Sequence, residues 1–197
     1  MPLWGATDGT ESKPKYLTDA EKKLVFANAS GWVLEAGSEF SGNDNTEATP
    51  EVLVAIGELA ESLGSADITQ IEFITTAFDK SDGGNIDVRV RFNEAVDIDT
   101  SGGTPRVSIT NGNEGTGTGR GPHLANYLSG TGTNEIVFRC TIAAGNAATN
   151  ADDVLTIGTN ATALNSGTIK DAGTTTNSTI TNSSAIGTAA GSITVTA

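Results

Sequence analysis

The stretch Asn85-Ile-Asp-Val-Arg-Val-Arg-Phe-Asn93 decides the fold class, because every second residue in it is apolar. A later stretch, Glu135-Ile-Val-Phe-Arg-Cys-Thr-Ile142, repeats this alternation. Successive side chains of a strand point to opposite faces, so a period of two means that one face is buried and the other faces water. Both stretches are therefore predicted strands, and the protein is predicted to be mainly β.

The same alternation, interrupted by Gly-rich turns, predicts seven strands after residue 67. They lie at residues 68–76, 85–93, 105–110, 124–129, 134–143, 154–157 and 192–196, with turns at 81–84, 101–103, 111–113 and 129–132. Seven short strands at this spacing predict an immunoglobulin-like antiparallel β-sandwich over residues 67–197, in which two packed sheets bury their apolar faces. Residues 173–190 have little periodicity and are expected to form a surface loop or a weak extra strand.

Residues 1–66 are predicted to be an anchoring segment that consists of an arm, a short helix and a hairpin. Residues 1–16 are polar and lack periodicity, which is typical of an extended arm. Thr18-Asp-Ala-Glu21 has the form of a capping box, in which the Thr hydroxyl and the Glu carboxylate each bind a free amide at a helix start. A short helix is therefore expected at about residues 19–28.

Two interpretations remain open for residues 50–63. The apolar runs at 32–34 and 52–56 flank a turn-rich segment and favour two antiparallel strands. However, Pro50 follows Thr49 as in a helix start, and the apolar residues from 52 to 63 fall at helical spacing. The β-branched content favours a strand through Ile56, followed by a helical turn over 58–63.

Composition and charge exclude several classes of partner. The 11 Lys and Arg against 24 Asp and Glu give a net charge of -13, which repels nucleic-acid phosphates and anionic membranes. No apolar run approaches the roughly 18 to 20 residues of a spanning helix, and the N-terminus resembles no secretion signal. We therefore expect neither a nucleic acid nor a membrane as a partner.

The sequence predicts no enzyme, because no set of catalytic side chains can be assembled from it. The single histidine, His123, follows a Gly-rich run without a neighbouring carboxylate and is expected on the surface. Cys140 lies on the apolar face of its strand, which predicts a small buried side chain rather than a nucleophile. One Cys and one His cannot supply a zinc ligand set.

Calcium is the one cofactor for which the sequence offers ligands. Asp97, Asp99 and Ser101 place oxygen atoms on alternate residues ahead of Gly102, as loops that bind hard cations do. The Glu expected at the twelfth position of an EF-hand loop is replaced by Ser108. Solvated carboxylates in a turn are the alternative, and favoured, interpretation.

Several short motifs resemble, in order, the bacterial immunoglobulin-like repeats of large adhesins and phage structural proteins. They are Asn85-Ile-Asp-Val-Arg-Val-Arg-Phe-Asn-Glu-Ala-Val96, Gly103-Thr-Pro-Arg-Val107, Tyr127-Leu-Ser-Gly-Thr-Gly-Thr-Asn-Glu-Ile-Val-Phe138, Ala143-Ala-Gly145 and Leu164-Asn-Ser-Gly-Thr-Ile-Lys-Asp171. The resemblance implies an immunoglobulin-like fold. It also implies a spacer, display or binding role, because the modules of this family are spacers, displays and binding units rather than catalysts.

The N-terminal region has a second resemblance, to virion proteins from tailed phages of marine cyanobacteria. It rests on Met1-Pro-Leu-Trp-Gly5, Lys13-Pro-Lys-Tyr-Leu17, Gly31-Trp-Val33 and Glu51-Val-Leu-Val-Ala-Ile56. This resemblance implies a virion location after assembly in the host cytoplasm, where no secretion signal is needed. The implied partners are other virion proteins, above all the major capsid protein, and a homo-oligomer remains open.

These observations lead to one functional hypothesis and two alternatives. We expect a non-enzymatic capsid decoration or accessory protein, anchored by its N-terminal region, with Trp4, Tyr16 and Trp32 as candidate anchors, since buried aromatics dominate many interfaces. For Trp4 and Tyr16, the other interpretation is packing against the protein's own sandwich. The alternative functions are a tail, neck or fibre component of the virion and, in another class, a cell-surface adhesin or carbohydrate-binding module.

Overall fold

The computed structural model describes residues 13–14, 16–59, 63–112, 121–146 and 149–197, and it confirms that the protein is mainly β. Within these residues the strands are β1 Val25–Asn28, β2 Gly31–Leu34, β3 Glu51–Ala55, β4 Ile68–Phe73, β5 Phe78–Asp79, β6 Gly84–Asp99, β7 Arg106–Gly112, β8 His123–Ser129, β9 Thr133–Ile142, β10 Val154–Ala163, β11 Thr168–Asp171 and β12 Ser192–Thr196. Short 3-10 helices lie at Glu21–Leu24 and Glu39–Ser41, and an α-helix lies at Ser184–Ala189.

The strands join into one hydrogen-bonded sheet, whereas the sequence predicts two. Its order is β3-β2-β1-β6-β9-β8-β7-β10-β12-β5, with β4 and β11 pairing separately with β6. The pairs β1–β6 and β5–β12 are parallel, and the other strand pairs are antiparallel. The sheet is continuous because β7 and β8 pair directly and because the long strand β6 pairs with four others.

The alternating residues of β6 and β9 pack into the main core, as the sequence predicts. Val88 pairs with Phe138 and Val90 with Ile136, and all four side chains are fully buried. The same apolar cluster includes residues of β7, β10 and β12. The C-terminal helix contacts both β10 and β4, which lie far apart in the strand order. The sheet therefore curls around one main core.

A second, smaller apolar cluster belongs to the N-terminal unit, by which we mean the described residues between 13 and 63. It comprises Leu17, Val25, Ala27, Trp32, Leu34, Leu59 and Leu63. The unit joins the rest of the sheet through the parallel pairing of Ala27 with Glu94. Arg91 and Asn93 are buried, although the alternation predicts that both face water. Arg91 donates to Glu35 of the N-terminal unit, and Asn93 accepts a hydrogen bond from the amide of Asp67, just before β4.

The predicted helix over residues 19–28 is wrong. The capping box forms, since the amide of Thr18 donates to the Glu21 carboxylate at 2.7 Å, but the helix is a 3-10 turn that ends at Leu24. The chain continues as β1 because Val25 pairs with Leu34 and Asn28 with Gly31 of β2. Strand pairing in the folded protein outweighs the local helix signal here.

The antiparallel pairing of β2 with β3 is confirmed, which settles residues 51–55 as strand. Leu59 is helical, and residues 60–62 lie outside the described residues.

The sequence does not predict strands β1, β5 and β11 or the helix within 173–190. Asn111 and Gly112 belong to β7 rather than to a turn.

No helix in the described part of the chain has the length and apolar character needed to cross a membrane.

Candidate functional site

A cleft of about 700 Å³ lies between the N-terminal unit and the face formed by β6 and β9. The long connection between β2 and β3 forms one wall, and residues of β6 and β9 form the other. Its lining includes the apolar side chains Leu24, Phe26, Ile74 and Val137 and the charged side chains Glu35, Glu39, Glu47, Arg89, Arg91 and Glu135. We call this space the cleft.

Arg91 occupies the centre of a buried polar cluster in the cleft. Its Nε donates to Glu135 Oε1 at 2.7 Å, and its Nη1 donates to Gln70 Oε1 at 2.9 Å. Its Nη2 donates to Glu35 Oε1 at 3.0 Å and also to Glu135 Oε1. The Arg91 side chain is only 8% exposed. This guanidinium therefore connects the end of β2 to three strands of the sheet.

Arg89 extends the cluster along β6 towards β4. Its Nε donates to Glu72 Oε1 at 2.6 Å, and its Nη1 donates to Glu135 Oε2 at 3.1 Å. Glu135 thus receives hydrogen bonds from both arginines. Burying these charges is tolerable because each has an opposite charge and a hydrogen-bond partner.

The pKa values of the Glu35 and Glu135 carboxyl groups are shifted in opposite directions. Burial raises the pKa of Glu35 to about 8, and a hydrogen bond with Glu135 acts in the same direction against the attraction of Arg91. Burial alone would raise the pKa of Glu135, but the hydrogen bond from Glu35 and the charges of Arg91 and Arg89 lower it. At neutral pH the pair therefore holds one proton, on Glu35.

One oxygen of this pair is unused as an acceptor. Glu35 Oε2 is buried and accepts no hydrogen bond from the described residues. At the mouth of the cleft, Glu39 and Glu47 are exposed. The cleft therefore combines a buried charged cluster with an acidic entrance and apolar walls.

The predicted anchoring aromatics are placed differently from one another. Trp32 is fully buried in the N-terminal cluster rather than against the strands of residues 67–197. Its neighbours in that cluster include Leu17 and Leu59. Tyr16 is 68% exposed. Trp4 lies outside the described residues.

The residues considered for calcium lie at the end of β6 and in the following turn. Asp97 Oδ2 accepts a hydrogen bond from the Gly173 amide at 3.2 Å, and Asp99 Oδ1 accepts one from the Ser101 amide at 2.8 Å. The latter bond lowers the pKa of Asp99. Among the described residues, no three His, Cys, Asp or Glu side chains are grouped so that they could hold a metal ion.

His123 and Cys140 are both buried. The surface position expected for His123 is wrong: Nε2 lies 3.0 Å from Thr149 Oγ1, and burial lowers the pKa of the imidazole. Cys140 faces inward as its strand phase predicts, and burial raises the pKa of its thiol. Neither side chain lines the cleft.

The sequence contained part of the signal for the charged cluster. Arg89 and Arg91 alternate with apolar residues on β6, and Arg91 pairs in register with Glu135 of β9. An opposite-charge pair across two predicted strands could have been proposed from that pattern. Glu35 gave no such signal, because it lies 56 residues from Arg91 in an irregular segment.

Comparison with protein-family models, with curated proteins and with solved structures finds no match.

Proposed function

We propose that this protein is a non-enzymatic structural protein of a virion, most concretely a capsid decoration protein that attaches through its N-terminal region and displays an immunoglobulin-like β domain. The observation that carries the proposal is the separate apolar cluster of the N-terminal unit, whose strand β3 ends the strand order of the sheet. Such a division suits an attachment unit that keeps its shape while the other unit faces outward. The phage context comes from the sequence resemblance.

The strand order supports an immunoglobulin-like arrangement. If β4, β6, β7, β8, β9, β10 and β12 are labelled A to G in chain order, the pairing β4-β6-β9-β8 gives A-B-E-D, and β7-β10-β12 gives C-F-G. These are the two strand orders of the immunoglobulin fold. Direct pairing of β7 with β8 makes the two sets continuous. Modules of this kind serve as spacers and displays as well as binding units.

The outer edge of the N-terminal unit supports attachment to another protein. Strand β3 ends the strand order and pairs only with β2 within the described residues, so its other edge presents backbone groups that a further strand could pair with. Val52 on this strand is 46% exposed, and Tyr16 is also exposed. An edge strand that carries an exposed apolar side chain fits docking on a capsid protein.

The direct test is quantitative mass spectrometry of virions purified from the source of this gene. A copy number on the order of hundreds would support a shell protein, whereas about six or twelve would place the protein in the tail or neck, as expected from symmetric assemblies. Absence from purified particles would overturn the virion role.

Attachment is tested by deleting residues 1–12 and by the separate substitution Tyr16→Ala. Lys13 must be kept because it is buried beside Trp32. We expect both variants to fold, as judged by circular dichroism, and to lose incorporation into particles. Normal incorporation of both would exclude the arm as the attachment element.

A further inference from the structure

We propose that the outer face of β8 binds an extended segment of a partner protein in which an aspartate or glutamate lies between two large apolar residues. We call this surface the β8 face. It consists of Leu124, Asn126 and Leu128 of β8, Arg106 of β7 and Arg139 of β9. None of these residues lines the cleft or belongs to the N-terminal unit, and the inference does not rest on the proposed virion role.

Strand pairing places the polar residues of the β8 face in one row. Asn126 pairs with Arg106 on one side and with Arg139 on the other. Paired residues on neighbouring strands have side chains on the same face, with Cβ atoms about 4.5–5.5 Å apart. The exposed Asn126 therefore lies between two arginines. A carboxylate that approaches Asn126 meets a guanidinium from each neighbouring strand.

Arg106 has no counter-charge in the part of the chain that the structure describes. It forms neither an ion pair nor a side-chain hydrogen bond there. Arginine binds carboxylates through two parallel hydrogen bonds, and this geometry makes the pair both strong and specific. A carboxylate of a partner would therefore neutralise Arg106 without displacing a group of this protein.

Arg139 is partly neutralised and can assist. Its Nε and Nη2 donate to the two carboxylate oxygens of Asp87, at 2.7 and 2.6 Å. Its Nη1 makes no hydrogen bond with the described residues, and the side chain is 39% exposed. The row therefore offers one complete guanidinium and one further donor to an incoming carboxylate.

The local charge around the β8 face differs in sign from that of the whole chain. Residues 100–150, which contain β7, β8 and β9, carry three arginines and only two glutamates, whereas the chain has a net charge of -13. One of these glutamates, Glu135, already accepts from Arg89 and Arg91. Residues 24–79, by contrast, contain no lysine or arginine. Because salt screens distant charges, a carboxylate is attracted at the β8 face although the chain is acidic.

Two exposed leucines lie along the strand on either side of this row. Leu124 is 40% exposed and Leu128 is 46% exposed, and each is two residues from Asn126. Four residues of strand span about 13 Å at most. A partner segment in the same extended conformation has the same rise, so apolar residues two positions before and after its acidic residue would meet the two leucines. Exposed apolar side chains grouped with arginine are typical of protein contacts.

A nucleic acid is a weaker candidate for this surface. Its affinity depends on contacts with several phosphates at once. The β8 face offers one arginine without a counter-charge and a second that is paired with Asp87. A polyanion is also repelled by the net charge of -13. One carboxylate between apolar side chains matches the surface better.

The test is a proton–nitrogen NMR titration of the full chain with the capped pentapeptide Leu-Ser-Glu-Ser-Leu. The control peptides are Leu-Ser-Gln-Ser-Leu, which lacks the charge, and Ser-Ser-Glu-Ser-Ser, which lacks the apolar residues. A contact of this small area gives weak affinity, so the peptide is used at millimolar concentration. We expect saturable shifts of the backbone amide signals of β7, β8 and β9, and binding of each control about fivefold weaker or less.

Matched variants separate the β8 face from a general effect of charge. Arg106→Gln removes the unpaired guanidinium and should weaken binding of the pentapeptide about fivefold. Lys170→Gln removes the same charge from β11, outside the β8 face, and should change affinity less than about twofold. Leu128→Ser should weaken binding about threefold through the loss of apolar contact. Circular dichroism checks that each variant is folded.

The proposal is overturned if the pentapeptide gives no saturable shifts, if the shifts lie outside β7, β8 and β9, or if Arg106→Gln and Lys170→Gln weaken binding equally. Equal binding of all three peptides would overturn it as well. If Arg106→Gln fails to fold, Leu128→Ser replaces it, and an unchanged affinity of that variant refutes the proposal. Because no virion is used, the result is independent of the proposed particle role.

Discussion

The Lys13 ammonium lies 5.9 Å from the centre of the Trp32 ring and donates hydrogen bonds to the carbonyl oxygens of Lys22 and Val25, at 2.7 and 2.5 Å. The residue is only 5% exposed. Burial lowers the pKa of Lys13 to about 8, and the charges of Arg91 and Lys22 act in the same direction. A cation enclosed in this way fixes the start of the N-terminal unit against its apolar cluster.

Substitution of Lys13 should therefore destabilise the protein. Lys13→Met keeps a side chain of similar length but removes the ring contact and two charge-assisted hydrogen bonds, which should cost about 1–3 kcal/mol. Urea denaturation followed by far-ultraviolet circular dichroism measures the change. Lys23→Met, at an exposed position, is the control and should be nearly neutral. Equal effects of the two substitutions would contradict the contacts described for Lys13.

The stability of the protein should fall as pH rises from about 4.5 to about 8, through the contribution of Glu35. Below about pH 4.5 its carboxyl is protonated in both states; between that value and its folded-state pKa of about 8, the unfolded chain has released the proton and the folded chain retains it. Stability therefore decreases with pH across this window, since the folded state binds more protons.

The variant Glu35→Gln isolates this contribution, because glutamine does not titrate. The stability of the wild type relative to the variant should fall between about pH 5 and about pH 8. Urea denaturation midpoints at the two pH values supply the comparison. A constant difference between the two proteins would show that the pKa of Glu35 is not raised.

Removal of Glu135 should be far more damaging than removal of a more exposed partner on the same sheet. Glu135→Gln leaves Glu72 and Glu35 as the remaining carboxylates of Arg89 and Arg91 but removes charged hydrogen bonds from both arginines, which should cost about 1–3 kcal/mol. Asp87→Asn breaks the pairing with Arg139, whose side chain is 39% exposed, and should change stability little because solvent screens this pair. Chemical denaturation of both variants measures the two losses of stability. Equal losses would contradict the prediction.

A glycine at the turn between β1 and β2 should not tolerate a side chain. Gly31 has φ of +134°, and a Cβ built there would lie 2.0 Å from the carbonyl oxygen of Val54. Gly31→Ala should therefore cost about 1–3 kcal/mol for the backbone conformation alone, and the clash adds to it. Gly57→Ala meets open space and should change the melting temperature little. A stable Gly31→Ala variant would mean that β2 and β3 are packed differently.

Local alternation was sufficient to predict β6 and β9, two strands of the main core. In β6 and β9 the apolar residues repeat every second position, and this pattern is visible in the local sequence alone. The burial of Arg91 and Asn93 could not be predicted in this way. It depends on contacts with distant segments, namely Glu35 for Arg91 and Asp67 for Asn93, which no local periodicity records.

The charged cluster was beyond sequence-based prediction for a similar reason. Arg91 contacts Glu35 across 56 residues and Glu135 across 44. Alternation marks Arg91 as polar on a strand but does not indicate which irregular segment will cover it. The segment before strand β1 shows the opposite problem. Its capping box forms as the local sequence predicts, but the pairing of β1 with β2 replaces the rest of the predicted helix.

Strand β12 has a consequence for the order of folding during synthesis. It lies between β10 and β5, and it contributes Ile193 and Val195 to the main core. Val195 pairs with Phe78, which leaves the ribosome long before it. A nascent chain that has not yet released residue 196 therefore exposes the edges of β10 and β5 together, and pairings between such distant residues form slowly. The pairing of Val195 with Phe78 should therefore be among the slower steps of folding.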